Sequence, residues 1–402
     1  MSRLRAGTGN SALADAAAAG REAATAALAG LGGEPPALVI VFASIRYEVE
    51  ALLRAIRETV VEVPLIGCTS CGTFESGNLH GSDDPSVSVA VLTAGGYCFG
   101  VASQPEISAD SFEKGRSLAR AAKEAAKEAA GEATGDGTVR ANSPHSALIL
   151  MADGLGGADL QELLNGMYRV AGAAVPFVGG AAGDDRQLTR TLVFHDDMVR
   201  SDAAVALWVD SPHPLHVGCG HGWEPVSPPM MVTQSDGFRV ERIGGRPAGE
   251  VFREYAEAAG AKEGFGRPGT WSAAHALGLI EPDGTQLIRG AVPEEDDSLR
   301  TFIPLPPYAA VQVVTGRAET LLDAVEPIIA QARPSGVDPG ALIAFSCTAR
   351  YDILGERIRE ETRRLQDAAG NAPTIGFFTY GEFARTVGVS GMHNATLTAI
   401  AL

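Results

Sequence analysis

The chain is 402 residues long, 45% hydrophobic and 20% charged, with a formal net charge of −17 at pH 7. That length allows two or three domains with large apolar cores, and the acidic balance argues against nucleic acid or an anionic membrane as partner, since either would repel it. No stretch approaches the roughly 18 consecutive apolar residues that span a bilayer, and five scattered cysteines fit a reduced, cytoplasmic compartment better than a disulfide framework.

Residues 12–31 are Ala-rich but carry Asp15, Arg21 and Glu22, so they lack a signal-peptide core. They predict a helix capped at Ser11. Glu34-Pro35-Pro36 closes this lead-in, residues 1–34. A first unit follows: an apolar run at 37–42, helical spacing at Ile45, Val49, Leu52 and Ile56, a Gly-framed loop, and a further apolar run at 87–92. The loop reads Pro64-Leu65-Ile66-Gly67-Cys68-Thr69-Ser70-Cys71-Gly72-Thr73.

Residues 111–130 have a helical pattern with Lys123, Glu124, Lys127 and Glu128 placed for intrahelical pairing. Residues 131–146 are rich in Gly, Thr, Ser and Asn and read as a mobile insert. The second unit repeats the first: a run at 147–151, helical spacing at Leu160, Leu163, Leu164 and Met167, the loop Pro176-Phe177-Val178-Gly179-Gly180-Ala181-Ala182-Gly183-Asp184, and a run at 203–209. Gly218-Cys219-Gly220-His221-Gly222 and the Pro-rich 224–229 then punctuate the chain, which puts a domain boundary near residue 228.

Beyond it, 240–255 predicts strand, turn and helix, Pro282-Asp283-Gly284 predicts a hairpin, and 310–314 a strand. The third unit has runs at 341–345 and 395–401, helical spacing at Leu354, Ile358 and Leu365, and the loop Pro373-Thr374-Ile375-Gly376-Phe377-Phe378-Thr379-Tyr380-Gly381-Glu382. The expected fold is mixed α/β: two packed α/β domains, 35–228 and 229–402, built from repeated strand-helix-strand-loop-strand units. The Gly-framed loops then sit at equivalent strand ends, where open α/β sheets bind ligands.

Several residues there have suitable chemistry. Cys347 and Arg350 follow the third unit's first strand and Glu382 its second, so all three are expected at one rim. Arg350 offers a fork for a carboxylate and Glu382 an acceptor for an ammonium; the alternative is an internal Arg350–Glu382 ion pair. Asp184 takes the position of Glu382 in the second unit and Thr73 in the first. Tyr380, Ser70, Gly179 and Gly180 wall the same loops, and His393-Asn394 precedes the last strand. Cys68 and Cys71 have redox or zinc spacing, but Gly72-Thr73-Phe74 reads as loop where a redox pair opens a helix, and four zinc ligands are not at hand. The competing reading is a pair of small buried thiols in a tight turn. No nucleophile elbow, phosphate-binding Gly/Lys loop or His-Glu-x-x-His occurs.

Ile66-Gly67-Cys68-Thr69-Ser70-Cys71-Gly72, the block 218–222, Phe345-Ser346-Cys347-Thr348-Ala349-Arg350, Gly376-Phe377-Phe378-Thr379-Tyr380-Gly381-Glu382 and His393-Asn394-Ala395-Thr396, in that order, resemble the FIST proteins. The resemblance covers residues 37–402 and implies paired FIST N and FIST C domains: a signal-input protein for small molecules, amino acids among them, with the output carried by a separate signalling protein. A haem-bound nitric oxide sensor is the first rival, since some proteins resembling this family are linked to haem. A hydrolase or transferase using Cys347 is the second; it needs a reactive thiolate.

Overall fold

The computed structural model describes residues 3–61, 63–134, 144–261, 273–333, 338–386 and 389–402. Three modules follow one another. The first is β1 (Ala6–Ser11), α1 (Ala16–Ala29), β2 (Pro36–Ala43), α2 (Val49–Thr59), β3 (Leu65–Thr69), the hairpin β4 (Thr73–Glu75) and β5 (Asn78–His80), and β6 (Val87–Thr93). The second is β7 (Cys98–Pro105), α3 (Ser111–Thr134), β8 (His145–Ala152), α4 (Leu160–Ala171), β9 (Phe177–Ala181), the hairpin β10 (Val193–His195) and β11 (Met198–Arg200), and β12 (Ala203–Ser211).

The third begins with β13 (Val217–Gly220) and then takes an insertion: β14 (Glu224–Pro225), β15 (Met230–Asp236), β16 (Arg239–Ile243), β17 (Arg246–Pro247), α5 (Ala248–Ala258), β18 (His275–Ile280), β19 (Gln286–Arg289), β20 (Ala291–Pro293), β21 (Leu299–Thr301) and β22 (Ala310–Thr315). It resumes with α6 (Ala318–Asp323), α7 (Val325–Ala332), β23 (Leu342–Cys347), α8 (Thr348–Leu354), α9 (Ile358–Ala369), β24 (Thr374–Thr379), the hairpin β25 (Glu382–Thr386) and β26 (Val389–His393), and β27 (Leu397–Ala401). The inserted strands form a sheet of their own, with the expected hairpin at β18–β19.

Each module builds one six-stranded sheet in the same order: leader strand, last strand, first strand, second strand, then a two-stranded hairpin. The orders are β1-β6-β2-β3-β10-β11, β7-β12-β8-β9-β25-β26 and β13-β27-β23-β24-β4-β5. The hairpin never comes from the module it completes. The first module's hairpin joins the third module's sheet, the third's joins the second's, and the second's joins the first's. The two α/β halves expected from the sequence are therefore interlocked.

Helices cover the outer face of each sheet, while the inner faces of all three share one core containing Phe42, Ile149, Val178, Phe345 and Phe377. Phe42 and Phe377 have ring centroids 4.6 Å apart, and Phe345 and Phe377 5.6 Å. Burial on both faces explains why the central strands read as continuous apolar runs. The framing prolines are equivalent: Pro64, Pro176 and Pro373 each accept from the first strand of their own unit, at Val39, Leu148 and Leu342 (2.9, 3.0 and 3.0 Å).

Three departures from the sequence reading have local causes. The N-terminal helix starts at Ala16 with Asp15 as its cap, whose carboxylate accepts from Ala18 N, because Ser11 ends strand β1 and its hydroxyl is taken by Glu22. Residues 131–134 continue α3, and His145 and Ser146 begin β8; residues 135–143 of the expected insert lie outside the described residues. The leader strands and the exchanged hairpins went unread because the hairpin strands are three to five residues long and pair with remote segments.

Gly67, Gly179 and Gly376 stand at one equivalent point of each unit. A Cβ there would lie 2.0, 2.0 and 2.2 Å from the carbonyl oxygens of Val41, Leu150 and Ala344. Backbone in a central sheet cannot yield cheaply, so Gly179→Ala is expected to cost about 1–3 kcal/mol or more. Chemical denaturation checks this; a loss within a few tenths would show that the strands can separate.

Among the described residues, no helix is long and apolar enough to cross a membrane.

Candidate functional site

The three Gly-framed loops meet. Cys71 N donates to Phe378 O (3.0 Å) and Phe378 N to Gly72 O (2.9 Å). Gly183 N donates to Thr69 O and Asp185 N to Ser70 O (both 2.9 Å), and Ala181 N donates to Gly381 O (2.7 Å). The small residues permit loop-to-loop contact: a Cβ on Gly183 would sit 2.5 Å from Cys71 Sγ, and one on Gly180 2.6 Å from Thr379 Cγ2. Gly179 and Gly180 thus face protein atoms.

At this junction the Tyr380 hydroxyl donates to Asp184, which also accepts from the backbone N–H groups of Leu188 (2.9 Å), Thr189 (2.7 Å) and Arg190 (3.0 Å). Burial raises the Asp184 pKa, but these donors outweigh it and leave the carboxyl below its ordinary range. Burial pushes the Cys71 thiol up to about 11 and Cys68 well above its usual value, and the chain after Cys71 enters β4, not a helix. The pair is two packed, protonated thiols. Ser70 is buried, with its hydroxyl on Ala43 O (3.3 Å).

Glu382 opens β25 and is fully buried. It accepts from Thr396 N (3.0 Å), Thr396 Oγ1 (2.7 Å), the Thr379 hydroxyl and the Cys347 thiol. Burial pushes its pKa up to about 7 against those donors. Cys347 ends β23 and is approached by the backbone amides of Ala349 and Ala395; burial, then the Glu382 charge, holds its thiol well above the usual range. A nucleophilic thiolate is thereby disfavoured at neutral pH.

Arg350 does not pair with Glu382. It is fully buried and bound to Glu361 on α9, Nε at 3.0 Å and Nη2 at 2.7 Å to the same oxygen, with Nη1 on His221 O (2.7 Å) and Nη2 also on Leu321 O (2.9 Å). Ser346 Oγ takes the other Glu361 oxygen at 2.6 Å. The cause is topological: Arg350 leaves the rim on α8 and faces α9, whereas Glu382 leaves it on a strand that joins the second module's sheet.

A different arginine stands on the Glu382 side. His393 is the cross-strand partner of Glu382, and Arg289, at the end of β19 in the inserted sheet, reaches Met392 O (3.4 Å) and Ile288 O (3.1 Å) through Nη1. Arg289 is only 6% exposed, forms no ion pair among the described residues, and leaves Nε without a partner. Burial lowers its pKa to about 10, with the Glu281 charge opposing. His393 is buried too; burial, then the Arg289 charge, drive its ring to about 3, and Nε2 has no partner. Asn394 Oδ1 accepts from Gly290 N (3.3 Å) and locks this strand to the insert.

His221 Nδ1 accepts from Trp223 N (2.8 Å), so its Nε2–H points at Gln286 O (3.2 Å); burial holds the ring near 4. Trp223 donates to Ala395 O (3.0 Å) and packs with Ala276, Ile288 and Val314 against Cys347 and Ala395. The result is a buried polar cluster under an apolar lid, with a cation that has no ion pair among the described residues, an acid poised near neutrality and two uncharged imidazoles.

Of the residues singled out from the sequence, Cys347, Glu382, His393 and Asn394 belong to this cluster. Tyr380, Asp184, Cys68, Ser70, Gly179 and Gly180 belong to the loop junction, and Arg350 to a helix-to-helix ion pair. Sequence reasoning missed Arg289, His221 and Glu361. An arginine closing the short strand Gln286-Leu287-Ile288-Arg289, and a histidine between two glycines in a block taken as punctuation, were the signals available.

A family model described as the FIST N domain matches residues 37–246, and one described as the FIST C domain matches residues 248–385. An uncharacterized protein of Mycobacterium tuberculosis strain H37Rv is 26% identical over 410 residues, covering 98% of each chain. An uncharacterized protein of Mycobacterium bovis is 25% identical over 234 residues, covering 54% of this chain and 58% of that one. A crystal structure of cyanuric acid hydrolase from A. caulinodans aligns over 98% of each chain with 10% identity and a TM-score of 0.34.

Proposed function

Because the chain belongs to the FIST family, whose domains are associated with sensory proteins of signal transduction, we propose that it is a small-molecule sensor in which this cluster opens into a chamber for a ligand of amino-acid type. One observation carries this reading: Arg289 is a buried cation with no carboxylate in ion-pair contact among the described residues. An uncompensated buried charge costs several kcal/mol, and a ligand carboxylate would supply the missing partner in fork geometry. Glu382, with its pKa near 7, is suited to receive an ammonium group. The inserted sheet closes the chamber, so uptake requires that sheet to part from the end of β23. Such a movement is what a separate output protein would read.

The test is calorimetry with a panel of amino acids and the amines that lack their carboxylate. Binding of an amino acid, but not its amine, is expected, and Arg289→Gln should weaken it by roughly tenfold or more, the scale of a lost charge-assisted bond. The same variant is expected to be no less stable without ligand, because it removes an unpaired buried charge. Unchanged affinity in Arg289→Gln, or no amino acid bound, would overturn the proposal.

A further inference from the structure

A separate cleft of about 450 Å³ lies between Asn10 of β1, Asn78 and His80 of the β4–β5 hairpin, and Arg359 and Arg363 of α9. That volume suits a small molecule. Arg359 and Arg363 are one turn apart, so their side chains share a helix face. The neighbouring arginines of this segment are neutralised: Arg357 by Glu319 and Glu360, and Arg364 by Asp323. Arg359 and Arg363 form no ion pair among the described residues; Arg363 Nε reaches only Arg359 O (3.2 Å). In a chain of net charge −17, two arginines without an ion pair among the described residues are thus held side by side at a cavity, Glu360 attracting Arg363 only at longer range.

The opposite wall does not neutralise them. The carboxylate behind it, Glu75, is 4% exposed and already receives Thr8 Oγ1 and Asn10 Nδ2 (both 2.8 Å) and Asn78 Nδ2 (2.9 Å). Burial raises its pKa, but donors from His80, Asn78, Thr8 and Asn10 prevail and keep it ionised and occupied. His80 Nε2, 4.0 Å from Glu75 Oε1 and shielded from solvent, faces that carboxylate rather than the open cleft. The cleft therefore offers two guanidinium forks, with no carboxylate among its lining residues and Glu75 turned to its own donors.

We infer that this cleft binds the phosphate group of a small phosphorylated molecule, a dianion matched by the two forks. The site spans two modules: α9 belongs to the third, and the hairpin comes from the first, stapled to the helix by Thr362 Oγ1 on Gly77 O (3.2 Å). A bound phosphate tightens that junction. Affinity falls with added salt, because the arginine heads are exposed.

The experiment titrates the full chain with inorganic phosphate, AMP and malate by calorimetry. Saturable phosphate or AMP binding is expected, weakened by roughly tenfold or more in the Arg359→Ala/Arg363→Ala double variant. It should be unchanged in Arg200→Ala, which removes an exposed arginine elsewhere. AMP binding tighter than phosphate identifies a phosphate ester as the ligand; equal affinity identifies the free ion. Absence of saturable binding of both phosphate and AMP, equal binding by the folded double variant, or malate binding as well as either would each overturn the inference. Thermal melting establishes that the double variant is folded.

Discussion

Replacing Arg350 by methionine is expected to destabilise the protein by about 3–5 kcal/mol, the range for stripping one partner from a buried ion pair. The loss comes less from the pair's own attraction than from what is left behind. Glu361 is fully buried, and without the guanidinium its carboxylate keeps only the Ser346 hydroxyl, while the carbonyls of His221 and Leu321 lose their donor. Arg350→Lys preserves the charge, but a single ammonium cannot span Glu361 and both carbonyls, so it should lie between the variant and the native chain. Adding Glu361→Leu to Arg350→Met should recover part of the loss by removing the stranded charge. Urea unfolding at neutral pH measures all three. A loss below about 1 kcal/mol for Arg350→Met would mean that water reaches Glu361.

Glu382→Gln should remove a pH dependence of stability between pH 4.5 and 7. The folded pKa is raised from 4.5 to about 7, so in that window the folded state holds a proton that the unfolded state has released. Stability from this group is complete below pH 4.5 and declines as pH rises through 7. The rise corresponds to on the order of 3 kcal/mol. His221 and His393, depressed to about 4 and about 3, act oppositely: they cost stability as pH falls below their ordinary value of 6.5. The native chain is squeezed from both sides, and the glutamine variant only from the acid side. Melting temperatures from pH 5 to pH 8 should show the variant gaining on the native chain as pH rises. Parallel profiles would place an ionised Glu382 in the fold throughout.

What was legible in the sequence was what local pattern encodes. Buried central strands are continuous apolar runs, so residues 37–42 lie within β2 and 203–209 within β12. The three prolines marked equivalent strand starts because each bonds back to its own unit. Pairing between distant segments was not legible. Arg350 and Glu382 share a rim in any strand-order argument, yet the helical turn after Cys347 gives Arg350 a partner 11 residues away, and nothing in a single sequence ranks Glu361 above Glu382. Arg289 reaches the cluster only because the inserted sheet folds back over β23, a contact without local signature. The Asp15 cap was misplaced by four residues because Ser11 and Asp15 are both good caps, and the strand ending at Ser11 decides between them.

The exchanged hairpins impose an order on synthesis. The first module's sheet can be finished once residue 200 has emerged, since β10 and β11 come from the next segment made. The hairpin β4–β5 waits much longer: Glu75 pairs with Ile375, 300 positions later. At roughly 5–20 residues per second that is on the order of 15–60 s on the ribosome. Meanwhile β9 lacks the strand that caps its edge until residues 382–385 arrive. The nascent chain therefore carries open sheet edges until translation is nearly complete, and slowing its last 30 codons would prolong the interval in which it is most exposed to holdase chaperones and to aggregation.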